Sequence, residues 1–111
     1  MIVDAANVVG SVPDGWWRDR RGAAERLRDS LVAQAENHDV VLVVEGAAKG
    51  VVSIPGVLVE SARGSGDDAI VELVAAEADD RSVIVVTADR GLRARVEDLG
   101  AEVIGPRSIR G

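Results

Sequence analysis

The sequence predicts an α/β fold: one three-layer domain whose central parallel five-stranded sheet, in the order 3-2-1-4-5, carries helices on both faces. Three observations lead there. Short apolar runs punctuate the chain, and they are continuous in Val, Ile and Leu rather than alternating with polar residues, as strands covered on both faces require. Between most of them lie segments whose apolar residues recur at helical spacing. With 2 Trp as the only aromatic residues, the core has to be built from Val, Leu, Ile and Ala, which suits parallel strands under small helices. At 111 residues, the chain reads as a single domain over residues 1–111, able to bury about two thirds of its unfolded surface. No internal repeat, linker or low-complexity tract divides it.

Met1 to Val3 is the first strand. A helix is expected from about Arg18 to Asn37, where Ala24, Leu27, Leu31 and Ala35 share one side and charges take the other. Val40 to Val44 is the second strand. Residues 46–56 are too few for a full crossover helix; Gly46-Ala47-Ala48-Lys49-Gly50 has room for one turn before Ile54-Pro55-Gly56 breaks it. Val57 to Val59 is the third strand. The second helix, from about Asp67 to Ala78, is apolar nearly all round through Ile70, Leu73 and Val74, and Val83 to Val86 follows as the fourth strand. The third helix, from about Asp89 to Leu99, sets Leu92, Val96 and Leu99 on one face, with Gly100 where a C-cap glycine belongs. Val103 to Ile104 closes the sheet, and Gly105 to Gly111 reads as a loosely held basic tail. Right-handed crossovers from a central first strand give the stated order.

Composition excludes several classes of function. There is no Cys, which removes disulfides, thiolate zinc sites and cysteine nucleophiles together and suits a reducing compartment. A net charge of -6 argues against holding nucleic acid by the overall field, so local patches have to do it. Met1 leads straight into Ile2-Val3-Asp4 with no signal-like stretch, and nowhere do about 18 apolar residues run together. A cytoplasmic protein with no membrane association is expected. Gly64-Ser65-Gly66 lacks the spacing of a dinucleotide loop, and no Gly-Lys-Ser/Thr occurs.

The acids are the informative residues. Asp4 ends the first strand, Glu45 the second, and Asp89 follows the fourth; Asp67 and Asp68 open a helix that has to start from the same edge. Ligands of open parallel sheets bind at that carboxyl edge. Neighbouring strands lie about 4.8 Å apart, so carboxylates on adjacent strand ends repel and hold protons more tightly unless a cation sits between them. An all-oxygen donor set selects Mg²⁺ or Mn²⁺ over zinc, and such sites mostly serve hydrolysis or transfer at phosphorus. Each acid also has a plainer role open to it: Asp67 or Asp89 as a helix N-cap, Asp68 as a first-turn acid on the helix dipole, Glu45 as a solvated loop residue. Asp4 alone has no sequence-local partner. What points to a site is the convergence of all five on one rim.

Three motifs, Ile2-Val3-Asp4-Ala5-Ala6-Asn7, Gly66-Asp67-Asp68-Ala69-Ile70 and Val86-Thr87-Ala88-Asp89, together resemble the PIN-like superfamily in its NYN-type ribonuclease branch. The resemblance spans positions 2 to 89 and implies a PIN-like (NYN-type) domain acting as a metal-dependent endoribonuclease. It implies that Asp4, Asp67 and Asp89 are catalytic and bind the metal, that Asp68 and Glu45 complete the metal cluster, and that Asn7 orients Asp4 or touches a phosphate. The sequence departs from the family at Arg93, near the place of a further acid, and in its short segment after Glu45.

Just past the first strand, Trp16-Trp17-Arg18-Asp19-Arg20-Arg21 gathers both tryptophans and three arginines. Indoles stack on unpaired bases and guanidinium groups hold phosphates, so Trp16, Trp17, Arg18, Arg20 and Arg21 are read with Asn7 as substrate-binding residues for single-stranded RNA, with Arg26 and Arg28 extending the positive region. The plainer alternative makes one Trp a packing staple and the arginines a solvated helix face. His38, on the opposite rim, is expected to be structural. Rival readings are a PIN-like module that binds RNA or protein without cutting, a nucleotide phosphohydrolase, and, as a nuclease subtype, a toxin component inhibited by an antitoxin-like partner. A homodimer is compatible with each.

Overall fold

Successive side chains of a strand point to opposite faces of its sheet, and in this protein each face has its own core. The computed structural model describes residues 1–77 and 82–110. Its five strands, β1 (Ile2–Asp4), β2 (Val40–Val44), β3 (Val57–Ser61), β4 (Ile84–Val86) and β5 (Glu102–Ile104), form one sheet in the order β3-β2-β1-β4-β5, with every pairing parallel. The topology is the one the sequence predicts.

Val3, Leu42, Val44, Val57 and Val86 face one side, where they pack with Val8, Val9, Ala24, Leu27 and Leu31. Ile2, Val43 and Val85 face the other and pack with Ile70, Val74, Leu92 and Val96. That division explains why the central strands are apolar at consecutive positions: neighbouring residues such as Ile2 and Val3, or Leu42 and Val43, are claimed by opposite cores. The first core lies under α1 (Ala5–Gly10) and α2 (Arg20–Ser30), the second under α3 (Gly66–Glu77) and α4 (Arg90–Asp98). A Cα radius of gyration of 12.7 Å matches the value of about 13 Å for one domain of this length.

Four expectations need correction. Helix α1 follows β1 without a linker, where the β-branched pair Val8-Val9 hid a helix in the sequence. The long helix from Arg18 to Asn37 is three pieces: a 3₁₀ turn Trp16–Arg18, α2, and a 3₁₀ stretch Leu31–Glu36. Asp19 starts α2 as its N-cap, accepting the Gly22 N–H at 3.0 Å. At the other end Ser30 Oγ donates to the Leu27 carbonyl at 2.7 Å, the kind of local bond that competes with helix continuation. Third, the tail is not loose: Pro106 is buried, α5 (Arg107–Arg110) follows it, and Ile109 packs on the first core. Fourth, Glu60 and Ser61 extend β3 beyond Val59, in register with Val43 and Val44. The expected helix end at Ala78 and the last tail residue, Gly111, lie outside the described residues.

Residues 46–56 make one 3₁₀ turn, Gly46–Ala48, and then a tight reversal at Ile54-Pro55-Gly56-Val57. In that reversal the Val57 N–H donates to the Ile54 carbonyl at 3.0 Å and Gly56 has φ 92°, so Pro-Gly supplies the fixed and the left-handed positions of a type II turn.

Since Ile109 fastens the last helix to the first core, Ile109→Ala is expected to lower stability by about 1 to 2 kcal/mol, read as the shift of the urea midpoint at constant slope. A surface tail would give no shift.

Candidate active site at the carboxyl edge of the sheet

Strand parity builds the site. Asp4 lies two positions after Ile2, Glu45 two after Val43 and Thr87 two after Val85; since those three residues face the α3/α4 core, so do the residues at the strand ends. Register aligns them, with Asp4 opposite Val43 on β2 and Val3 opposite Val86 on β4, which puts Thr87 beside Asp4. The Thr87 hydroxyl donates to Asp4 Oδ2 at 2.9 Å and accepts the Asp89 N–H at 3.1 Å. Asn7, on α1, accepts the Ala88 N–H through Oδ1 at 2.7 Å. Its side chain therefore braces the loop that carries Asp89.

Asp4 is 4% exposed. Burial lifts its carboxyl from the ordinary 3.8 to about 6; Asp67 and Glu45 add to the rise, while the Thr87 hydroxyl and the Asn7 backbone oppose it. Asp67 is raised too, first by burial, then by Asp89 and Glu45, with Arg95 pulling the other way and Asp68 adding to the rise. Those mutual influences bring Asp4, Glu45, Asp67 and Asp89 into one electrostatic neighbourhood.

The plainer roles divide unequally among the acids. Asp89 is the N-cap of α4, accepting the Leu92 N–H through Oδ1 at 3.0 Å. Asp67 is not a cap: Ser65 Oγ takes the Asp68 N–H at 3.2 Å in that role. Asp68 is exposed and paired with Arg95 of α4 at 3.0 Å. Glu45 Oε2 accepts the Gly66 N–H at 2.8 Å, a close approach in which a Cβ at position 66 would stand 3.0 Å from Glu45 Oε1 and press the carboxylate aside. Asp89 and Glu45 are thus each oriented through one oxygen, leaving the second outside these bonds. Among the described residues, no three acidic or histidine side chains stand close enough as they are to grip one ion together.

Thr87 and Gly66 are the positioning residues that reading the acids alone misses. Both lie inside the motifs that carry the resemblance, Thr87 in Val86–Asp89 and Gly66 at the head of Gly66–Ile70, but their contacts are not visible locally, since Thr87 meets Asp4 across the β1–β4 pair and the contact of Gly66 with Glu45 spans 21 residues.

The tryptophans part company. Trp16 packs on the first core with the Arg20 guanidinium 5.4 Å from its ring centre. Trp17 is 52% exposed, edge-on to Trp16 at 6.0 Å, with Arg18 6.0 Å from its ring. Arg21 reaches the Gly50 carbonyl at 3.4 Å and Arg28 the Val52 carbonyl at 2.9 Å, so both pin the 46–56 segment. His38 is half-buried beside Met1, Asn37 and Asp39 at the opposite rim.

The all-parallel sheet in the order 3-2-1-4-5 with helices on both faces matches a PIN-like fold. It matches the crystal structure of Rae1 (YacP) from Bacillus subtilis with a TM-score of 0.77 at 18% identity, over 98% of this chain and 70% of that one; at that identity the likeness is one of fold. No family model matches the sequence, and no curated protein matches it.

A carboxyl raised in the folded state contributes stability that is fully present below its unfolded value and is lost as pH rises through its folded one. For Asp4 that window runs from 3.8 to about 6 and corresponds to roughly 3 kcal/mol. In metal-free buffer this site is expected to gain about 1 to 2 kcal/mol between about pH 7 and about pH 5. Asp4→Asn should flatten that part of the profile in thermal melts. Trp16→Ala should cost about 2 kcal/mol of stability, whereas Trp17→Ala should leave the melting temperature nearly unchanged.

Proposed function

We propose that the protein is a metal-dependent ribonuclease whose acidic rim holds Mg²⁺ or Mn²⁺ over Asp4. The observation that carries this reading is the buried Asp4 carboxylate, raised to about 6 by burial and by the nearby charges of Asp67 and Glu45, at the edge of a PIN-like sheet where ligands bind. A buried charge crowded by like charges costs stability unless something compensates it. The PIN-like fold shared with Rae1 (YacP) and the three motifs make a nuclease the reading that accounts for that cost. RNA is the substrate proposed, cut internally.

The donor set fits a hard divalent ion: carboxylate oxygens only, from Asp4, Asp67 and Asp89, with Glu45 and Asp68 around them. Bound there, the ion would supply an activated water and neutralise charge building on the phosphate. The chain's own groups do the positioning. Thr87 fixes the Asp4 carboxylate, Asn7 holds the Ala88 end of the loop, and the Leu92 and Gly66 N–H groups orient Asp89 and Glu45. Asp68 would have to leave Arg95 to join the ion, which makes it the most peripheral member. Arg18 and Trp17, exposed together, offer a phosphate contact and a stacking face to the strand.

One observation favours a second reading, a PIN-like module that binds RNA or protein without cutting: the acids stand apart, with no three of the described ones gripping a common point. Metal linkage separates the two. A site used for catalysis should bind Mn²⁺ or Mg²⁺ in the folded state and raise the melting temperature at millimolar concentration; no shift would favour the binding module.

Asp4→Asn preserves the side chain's shape and removes its charge. Cleavage of single-stranded RNA in Mn²⁺, absent in EDTA, should fall by several orders of magnitude, while the melting temperature of the metal-free protein stays level or rises because the crowded charge is gone. Normal cleavage by this variant would sink the assignment.

A further inference from the structure

A cavity of about 300 Å³ opens beside the acidic rim, between α1, α2 and the turn after β2. Buried Val9 and Ala24 lie at its base and exposed Ala6 at its mouth. Small side chains keep it open: Ala48 lines it on the side of the turn, next to Gly46, whose φ of 57° also disfavours a larger residue there. The indole of Trp16 and the guanidinium of Arg20 stacked on it line it from the α2 side, and Glu45 lines it from the rim.

That lining is selective. An apolar protein side chain would fill the volume but would offer the Arg20 guanidinium no acceptor. A flat heterocycle suits it better, its faces against alanine methyls and the indole, its edge presenting an acceptor to Arg20. Placement narrows the choice further. Glu45 belongs to both cavity and rim, and Ala5, which also lines the cavity, directly follows Asp4. A ring seated here is therefore within reach of a phosphate at the acids.

We propose that this cavity is a pocket for one unpaired nucleobase of the strand whose phosphate lies at the acidic rim, so that the protein selects single-stranded RNA by requiring a base free to leave its stack. The proposal rests on the ribonuclease reading for the phosphate and on the cavity for the base. A base held in a helix cannot enter, so paired RNA loses this contact and keeps only those made to its backbone.

The test fills the cavity without disturbing the core. Ala48→Leu and Ala6→Leu replace half-buried and exposed alanines at its edge, and thermal melts check that each variant folds. Binding of fluorescein-labelled oligoadenylate, oligocytidylate and oligouridylate is followed by anisotropy in EDTA, where no cleavage occurs, beside a blunt RNA duplex and free AMP, CMP and UMP. The wild type should bind at least one single strand more tightly than the duplex. Each filled variant should lose about ten- to a hundredfold of that affinity, with duplex binding unchanged and its melting temperature kept. Equal single-strand affinity in the wild type and both folded variants overturns the pocket, as does equal wild-type affinity for strand and duplex. Tight binding of mononucleotides alone, with no gain from the attached strand, overturns it as a strand-reading pocket. Pocket-dependent binding together with no cleavage in Mn²⁺ would instead remove the ribonuclease reading and leave the base pocket standing; cleavage with binding indifferent to filling would do the reverse. If both variants fail to fold, Arg20→Met, at an exposed position, reads the same loss of single-strand preference, and an unchanged preference there counts against the pocket.

Discussion

Asp4 ends the central strand, with β2 paired on one side and β4 on the other, and its carboxylate is almost wholly buried there. Its charge is internal, and the surrounding structure is arranged to bear it. The Thr87 hydroxyl gives its proton to Asp4 and its lone pair to the Asp89 N–H, so one side chain links the end of β1 to the start of α4. Asn7, one helical turn beyond Asp4, grips the intervening Ala88 N–H. Two polar side chains thereby fix the loop after β4 against the end of β1. Neither bond would hold if the strands slipped by one residue, because parity would carry Asp4 and Thr87 to opposite faces.

Around that anchor the charge is unbalanced by design of the backbone rather than by chance of side-chain conformation. Asp4, Glu45 and Asp89 are set by strand ends, Asp67 and Asp68 by the first turn of α3. Against them Arg95 offers one guanidinium, spent on Asp68 and felt by Asp67. The N-terminal ends of α3 and α4 add partial positive charge, and their N–H groups take Glu45 and Asp89 as partners. This moderates the repulsion without removing it: like charges still add to the rise that burial gives the carboxyls of Asp4 and Asp67.

The sheet was legible in the sequence because a parallel strand buried on both faces leaves an unbroken apolar signature, and Val40 to Val44 fills β2 residue for residue. The rim was legible for the same reason: a charge that interrupts such a run marks the strand's end. What escaped was decided by contacts the sequence cannot display locally. Val8-Val9 looks like strand chemistry but is helical in α1, since packing beneath α2 overrides propensity. Ser65 rather than Asp67 caps α3, a choice between neighbours that both qualify. Ile109 is a single apolar residue in a basic tail, and only the fold brings a core beneath it. Arg21 and Arg28, read as part of a positive surface, are occupied by carbonyls of the 46–56 segment, which leaves Arg18 and Arg20 beside the indoles.

The distance between the acids bears on function through the freedom each retains. Asp4 is fixed by burial and by Thr87. Asp67 is only half-buried and has no competing cap, because Ser65 fills that place. Asp89 and Glu45 each accept one N–H group, from Leu92 and from Gly66. Closing such a site asks for side-chain rotation on a fixed backbone, a cost of about 1 kcal/mol per side chain, whereas the roughly 3 kcal/mol that raises Asp4 comes first from burial and only then from Asp67 and Glu45. Helix capping accounts directly for Asp89 alone among these acids, since Ser65 caps α3, so the gathering of the others on the rim follows from the strand ends and not from the needs of the two helices.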